Sequence, residues 1–173
     1  NAIEQTQSIT NVSTDVSNAE RLNRWSCAWR MFLDKPITGF GPGTYQFQYL
    51  PYQLPNEITY ISVFSPYNIE QGRGGSTHNE YLLLLSECGL ATFLIFILLL
   101  LKLLYSSIMK VCSAAYVLNK QSILWAFLGL LTYLVHAFFN NFLDTDKAAF
   151  LFWASISILV SWNIGNKKTA SIN

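Results

Sequence analysis

Charge is what this chain has least of. Only 12% of its 173 residues are Asp, Glu, Lys or Arg, and the signs nearly cancel to a net charge of +1. So even a balance gives no basic surface for nucleic-acid binding. Cysteine is scarce as well, and Cys27, Cys88 and Cys112 show no metal-ligand spacing. That leaves no basis for a zinc site or a disulfide framework, and all three read as packing residues. Residues 1–14 hold no apolar run, which excludes a signal peptide at this end.

Apolar residues, by contrast, make up 51% of the chain and aromatics 15%, and they are unevenly spread. The first eighty residues are polar to mixed; the remainder is three apolar blocks, 82–105, 121–143 and 148–166. Each approaches the ~20 residues that cross a bilayer core of ~30 Å. Glu87 and Lys102 trim the first block, and both can reach an interface by tilting or snorkelling. A buried three-helix soluble core is the competing reading. The expected fold class is an all-α membrane protein, with a helical extracytoplasmic loop followed by three transmembrane helices.

Orientation follows from the lysines. Lys102, Lys110 and Lys120 join the first two blocks without an acid among them, and Lys167 and Lys168 close the chain. The positive-inside rule then puts that connection and the tail 167–173 in the cytoplasm, and residues 1–80 and the Asp144 turn on the periplasmic side. An outer segment with no targeting signal of its own reads as a fragment whose earlier helices are missing.

Within the outer portion, residues 1–16 are rich in Asn, Ser, Thr and Gln and read as disordered or linker. Ser17-Asn18-Ala19-Glu20 fits a capping box, opening a helix that Pro36 stops after about Leu33. Helical periodicity sets Leu22, Trp25, Trp29, Phe32 and Leu33 on one face, with Arg21 and Arg24 on its flank. Arg30 points away and can pair with Asp34. Arg21 and Arg24 read either as stems covering the apolar stripe or as an anion clamp, since a guanidinium donates two parallel hydrogen bonds to a phosphate. Gly39-Phe40-Gly41-Pro42-Gly43 reads as a turn and matches no P-loop. Residues 44–69 are expected to be irregular.

Gly72-Arg73-Gly74-Gly75-Ser76-Thr77-His78-Asn79-Glu80-Tyr81 then runs into Leu82-Leu83-Leu84-Leu85. Thr77 to Glu80 fits a second capping box, making His78 the first helical residue at the mouth of the first span. Free N–H groups there attract anions and disfavour a protonated imidazole, while Glu80 opposes the latter effect. His78 is either a general base or an interfacial polar anchor, with Arg73 a nearby cation.

Taken together, Arg21-x-x-x-Trp25, Met31-Phe32-x-x-x-Pro36-x-x-Gly39-x-Gly41-Pro42-Gly43, His78-Asn79-x-Tyr81-Leu82 and Glu87-x-Gly89-Leu90 resemble the C-terminal half of the O-antigen ligase family. The closing Asn141-Phe142-Leu143-Asp144-Thr145-Asp146-Lys147 and Phe152-Trp153 extend the resemblance to about residues 17–165. It implies an inverting, metal-independent glycosyltransferase with a polytopic GT-C-like fold in the bacterial inner membrane. Such an enzyme moves a glycan from undecaprenyl diphosphate to an acceptor hydroxyl on lipid A core, a polysaccharide or a protein. The resemblance implies catalytic roles for His78 and Arg21, diphosphate binding by Arg21, Arg24 and Arg73, and no cofactor. A chain lacking the earlier helices would be inactive alone.

Asp144 and Asp146 are weak candidates for a metal, because a D-x-D pair can hold a divalent cation against a diphosphate; capping of the next helix by Asp146 is favoured. His136 is an ionisable residue in an expected span, best read as neutral and bonded to a neighbouring helix. A different class of function is a non-enzymatic membrane segment of a transporter or flippase for lipid-linked glycans, with the arginines holding head groups.

Overall fold

A computed structural model describes residues 16–59, 62, 74–112, 120–143 and 146–170, with side chains described to Met109 in the third helix, from Gln121 in the fourth and over Lys147–Trp162 in the fifth. The described residues are helical without a strand. Helix α1 covers Val16–Asp34, a single turn α2 covers Tyr45–Gln48, and α3 runs Glu80–Cys112, α4 Lys120–His136 and α5 Asp146–Ala170. Two 3-10 turns, Leu50–Tyr52 and Pro55–Glu57, follow α2. Of residues 1–16, expected to be disordered or linker, 1–15 lie outside the described residues, as do Arg73 and Asp144, while Val16 opens α1.

The chain divides into two compact units, Asn1–Phe93 and Leu94–Asn173. In the first, α1 ends where Pro36 requires, but of the face hydrophobicity marks it buries only Phe32. Leu22, Trp29 and Leu33 are exposed, while Glu20, Arg24, Cys27, Ala28, Met31 and Phe32 are buried. Leu22, Trp25, Ser26, Trp29, Arg30 and Leu82 instead line an open groove of about 470 Å³. The core is Cys27, Ala28, Met31, Tyr45, Tyr49 and Leu83, with the Tyr45 and Tyr49 rings stacked at 5.3 Å. Desolvation pushes the Cys27 thiol up to about 11, as a packing cysteine requires. The stretch expected to be irregular is thus partly ordered, because helical turns bring both tyrosines to one side.

The glycine-rich segment 39–43 docks against a break in α3. Gly89 has φ 73 and ψ 179, so α3 is two helices joined at a kink. The groups freed there are met by the loop: Phe40 N donates to Ser86 O at 3.1 Å, Gly41 N to Glu87 O at 2.8 Å, and Leu90 N to Pro36 O at 2.8 Å. Glu87, expected to snorkel, is buried. Its carboxylate accepts the amides of Gly43 and Tyr45, each at 2.8 Å.

Among the described residues, one of the three expected spans matches a helix long and apolar enough to cross a membrane, Glu80–Met109. The second block was expected to reach Leu143, but α4 ends at His136 and continues as turns at Ala137, Phe138 and Phe139. Its 17 residues rise roughly 26 Å, at the lower end of the ~17–25 residues of spanning helices. Helix α5 runs 25 residues, Asp146–Ala170, with side chains described over Lys147–Trp162. In this second unit α4 and α5 pack on each other around Leu100, Ile123, Ala126, Leu130, Phe152 and Leu159. His136 closes α4, exposed, with its ring 6.3 Å from that of Phe142.

The docking at the kink is testable with two glycines of similar backbone. Gly39 and Gly43 have φ 64 and 73, so alanine at either carries roughly 1–2 kcal/mol of left-handed strain. A Cβ on Gly39 would also lie 2.3 Å from the Glu87 backbone, whereas one on Gly43 meets nothing within 4 Å. Gly39→Ala should therefore lower the melting temperature of the detergent-solubilised protein well beyond Gly43→Ala. At about 4–8 °C per kcal/mol for a small domain the difference is measurable; equal effects would contradict the docking.

Candidate active site

Arg24 organises the site. Lying one turn beyond Glu20 on α1, it pairs its Nε with Glu20 Oε1 at 3.0 Å, and both side chains are more than nine-tenths buried. Its Nη1 donates to the carbonyls of Gly74 at 2.8 Å and Ser76 at 3.2 Å. The guanidinium carbon lies 5.2 Å from the Tyr49 ring centroid, a cation–π contact in a desolvated setting. Glu20 was expected to reach back to its own N-cap. Its Oε2 instead accepts the Thr59 hydroxyl at 2.9 Å and the Ser62 hydroxyl at 2.5 Å. Removing either partner of such a pair strands a buried charge, at about 3–5 kcal/mol.

From Ser76 the chain turns into the first half of α3. The helix starts at Glu80, two residues later than a Thr77 cap requires. Thr77 Oγ1 accepts Asn79 N at 3.1 Å, and Asn79 Oδ1 accepts Leu82 N at 3.0 Å. Asn79 is thus the N-cap, a stronger capping residue than threonine. His78 precedes the helix rather than beginning it, with φ 53, a left-handed conformation that a non-glycine residue holds only when its surroundings fix it.

His78 is half-buried, and its pKa is lowered from the ordinary 6.5, first by desolvation, then by the charges of Arg24 and Arg21, with Glu20 acting the other way. The carboxylate that opposes them is Glu20 of α1. Arg21 and His78, fifty-seven positions apart, feel each other's charge. Arg21 is partly exposed, and among the described residues it has no hydrogen bond or ion pair. Arg30 does not pair with Asp34; it donates to Tyr52 O at 2.7 Å and grips the Glu57 carboxylate with both terminal nitrogens. That tie brings the second 3-10 turn onto α1.

Arg21, Arg24 and His78 thus share one neighbourhood, while Arg73 lies outside the described residues. So does Asp144, and only the backbone of Asp146 is described, at the first position of α5. Among the described residues no group of three or more His, Cys, Asp or Glu side chains could hold a metal. Glu20, Thr59, Ser62 and Glu87 were missed as site residues. Only the Glu20–Arg24 pair carries a readable signal, its i,i+4 spacing.

The O-antigen ligase family model matches residues 1–97, more than half of the chain, and the match holds Arg21, Arg24, His78, Glu87 and the Gly89 kink. The chain belongs to the O-antigen ligase family. Membership gives it a membrane association and a glycosyltransferase-like function, with lipid-linked glycans and their acceptors as the general substrates. The O-antigen ligase match ends at residue 97, well short of Asn141–Lys147, to which the sequence resemblance extended. No curated protein and no solved structure matches the chain.

A lowered histidine pKa has a defined sign in stability. The unfolded chain binds the proton first, so stability is full above about pH 6.5 and declines as pH falls through the folded value. Going from about pH 7 to about pH 5, the unsubstituted protein should lose more thermal stability than His78→Gln. Identical pH dependence in the two would contradict the desolvated, cation-flanked setting of His78.

Proposed function

We propose that the chain belongs to an inverting membrane glycosyltransferase that moves a glycan from undecaprenyl diphosphate to an acceptor hydroxyl at the outer face of the inner membrane. The observation that carries this reading is the half-buried His78, held in a left-handed conformation just before α3, in the field of Arg24 and Arg21 of α1 and shifted towards its neutral form. Neutral imidazole is the form a general base needs, and pre-placed positive charge is what a departing diphosphate needs.

In the proposed reaction the acceptor oxygen attacks the anomeric carbon of the donor sugar. His78 takes the hydroxyl proton as the new C–O bond forms. The old bond from the anomeric carbon to the diphosphate breaks on the opposite face, and undecaprenyl diphosphate leaves with the electron pair. Arg21 stabilises its developing charge. Arg73, which immediately precedes Gly74 in the chain, is proposed as a second cation, so that arginines serve where other glycosyltransferases use a metal.

Membrane placement belongs to the same proposal. The lipid boundary is set at the Gly89 kink: the half of α3 before it is mostly buried in the first unit, whereas Leu90, Leu94, Ile95, Leu98 and Leu99 beyond it are exposed and apolar. With lysine-rich segments inside, residues 1–80 face the periplasm, and α3, α4 and α5 form the three spans.

Two measurements test this in the intact gene product. Arg21→Gln and His78→Gln should each reduce glycan transfer at least about a hundredfold with unchanged membrane insertion. Transfer retained by both variants would contradict the enzyme reading and favour a transporter or flippase segment. A strong chelator should leave transfer unchanged, whereas loss restored by a divalent cation would return Asp144 and Asp146 to consideration.

A further inference from the structure

We infer that Arg24 is a positioning residue for His78 rather than a ligand of the diphosphate, and that Glu20, Thr59 and Ser62 form the anchor that holds it. The inference rests on the reading of His78 as the base. Its geometry is independent of that reading.

Arg24 has little left to offer a substrate. Nε is paired with Glu20, Nη1 is shared between two carbonyls, and the Tyr49 ring lies against the guanidinium. The residue is 6% exposed, so a diphosphate could reach it only by dismantling these contacts. Arg21, one turn earlier and partly exposed, has no such partners among the described residues. The two arginines are neighbours in sequence with different work.

What Arg24 holds is the approach to His78. Gly74 and Ser76 are fixed by their carbonyls, and between them Gly75 takes φ 80 with its missing Cβ facing the guanidinium. A methyl group there would lie 2.8 Å from Nη1. Three residues after Gly75, His78 takes its own left-handed conformation. A guanidinium fits this task because its planar fork reaches several acceptors at once, which an ammonium does not. Glu20 supplies the counter-charge and, through Thr59 and Ser62, ties α1 to the segment after the second 3-10 turn.

The charged groups facing His78 are Arg24, Arg21 and Glu20, all from α1, with Glu80 on its own helix. Removing Arg24 should both misplace the base and let its pKa rise. The test is steady-state transfer by the intact membrane protein with an undecaprenyl-diphosphate-linked glycan as donor, measured across pH. Arg24→Gln should lower kcat about a hundredfold, keep the donor KM within about twofold, and move the acidic limb of the kcat profile to higher pH. Glu20→Gln should move that limb to lower pH, since the opposing charge is gone. Gly75→Ala should reproduce the kcat loss at unchanged charge, which keeps the idea testable if Arg24→Gln fails to accumulate. A large rise in donor KM for Arg24→Gln, with kcat and the acidic limb unchanged, would make Arg24 a diphosphate ligand and overturn the inference. So would full activity in Gly75→Ala. If His78→Gln itself retains transfer, the base assignment fails first, a result separable from either.

Discussion

Glu87 is buried at the point where α3 breaks, and its two carboxylate oxygens are met by the amides of Gly43 and Tyr45. Hydrogen bonds to a buried charge contribute more than neutral ones, about 1.5–3 kcal/mol each, and losing them would leave the charge unsolvated. The same kink frees backbone groups that Pro36, Phe40 and Gly41 satisfy. One contact zone therefore fixes the end of α1 against the middle of α3. Since Arg21 sits near the start of α1 and His78 just before α3, their approach depends on this zone from a distance.

A second tie works at the other end. Glu20 joins α1 to Thr59 and Ser62, and Arg24 joins it to Gly74 and Ser76, so the segment leading to His78 is held by charge-assisted hydrogen bonds. The two ties divide the labour. The kink sets the helices' mutual register, and the Arg24 cluster sets the local path of the chain into the site. Both are polar and buried, which makes them costly to half-satisfy and hence specific.

Much of this was legible in the residues. Pro36 marks the end of α1, and the apolar run 82–105 marks the existence of α3, though not its extension to Cys112 or its kink at Gly89. The buried face of α1 was not legible, because hydrophobic periodicity favours Leu22, Trp29 and Leu33 over a face that contains Glu20 and Arg24. Burial of those charges depends on partners forty to fifty positions away, which no local pattern encodes. Glu87 looked like a residue at a membrane boundary for the same reason. The start of α3 is not legible in sequence because Thr77 and Asn79 are both good caps, and only the two-residue turn from Thr77 decides between them. The end of α4 carries no Gly or Pro to mark it, and Asn140 and Asn141 interrupt the block 121–143 only after the helix has already given way to turns.

The central claim is that Arg21 and His78 act within one site on one reaction. A double-mutant cycle on glycan transfer, using Arg21→Lys, His78→Gln and the pair in the intact membrane protein, tests it most directly. Residues acting together on one transition state lose activity non-additively. The account therefore requires the double variant to be little worse than the more damaged single variant. Losses that multiply would place the two residues in separate roles and contradict it.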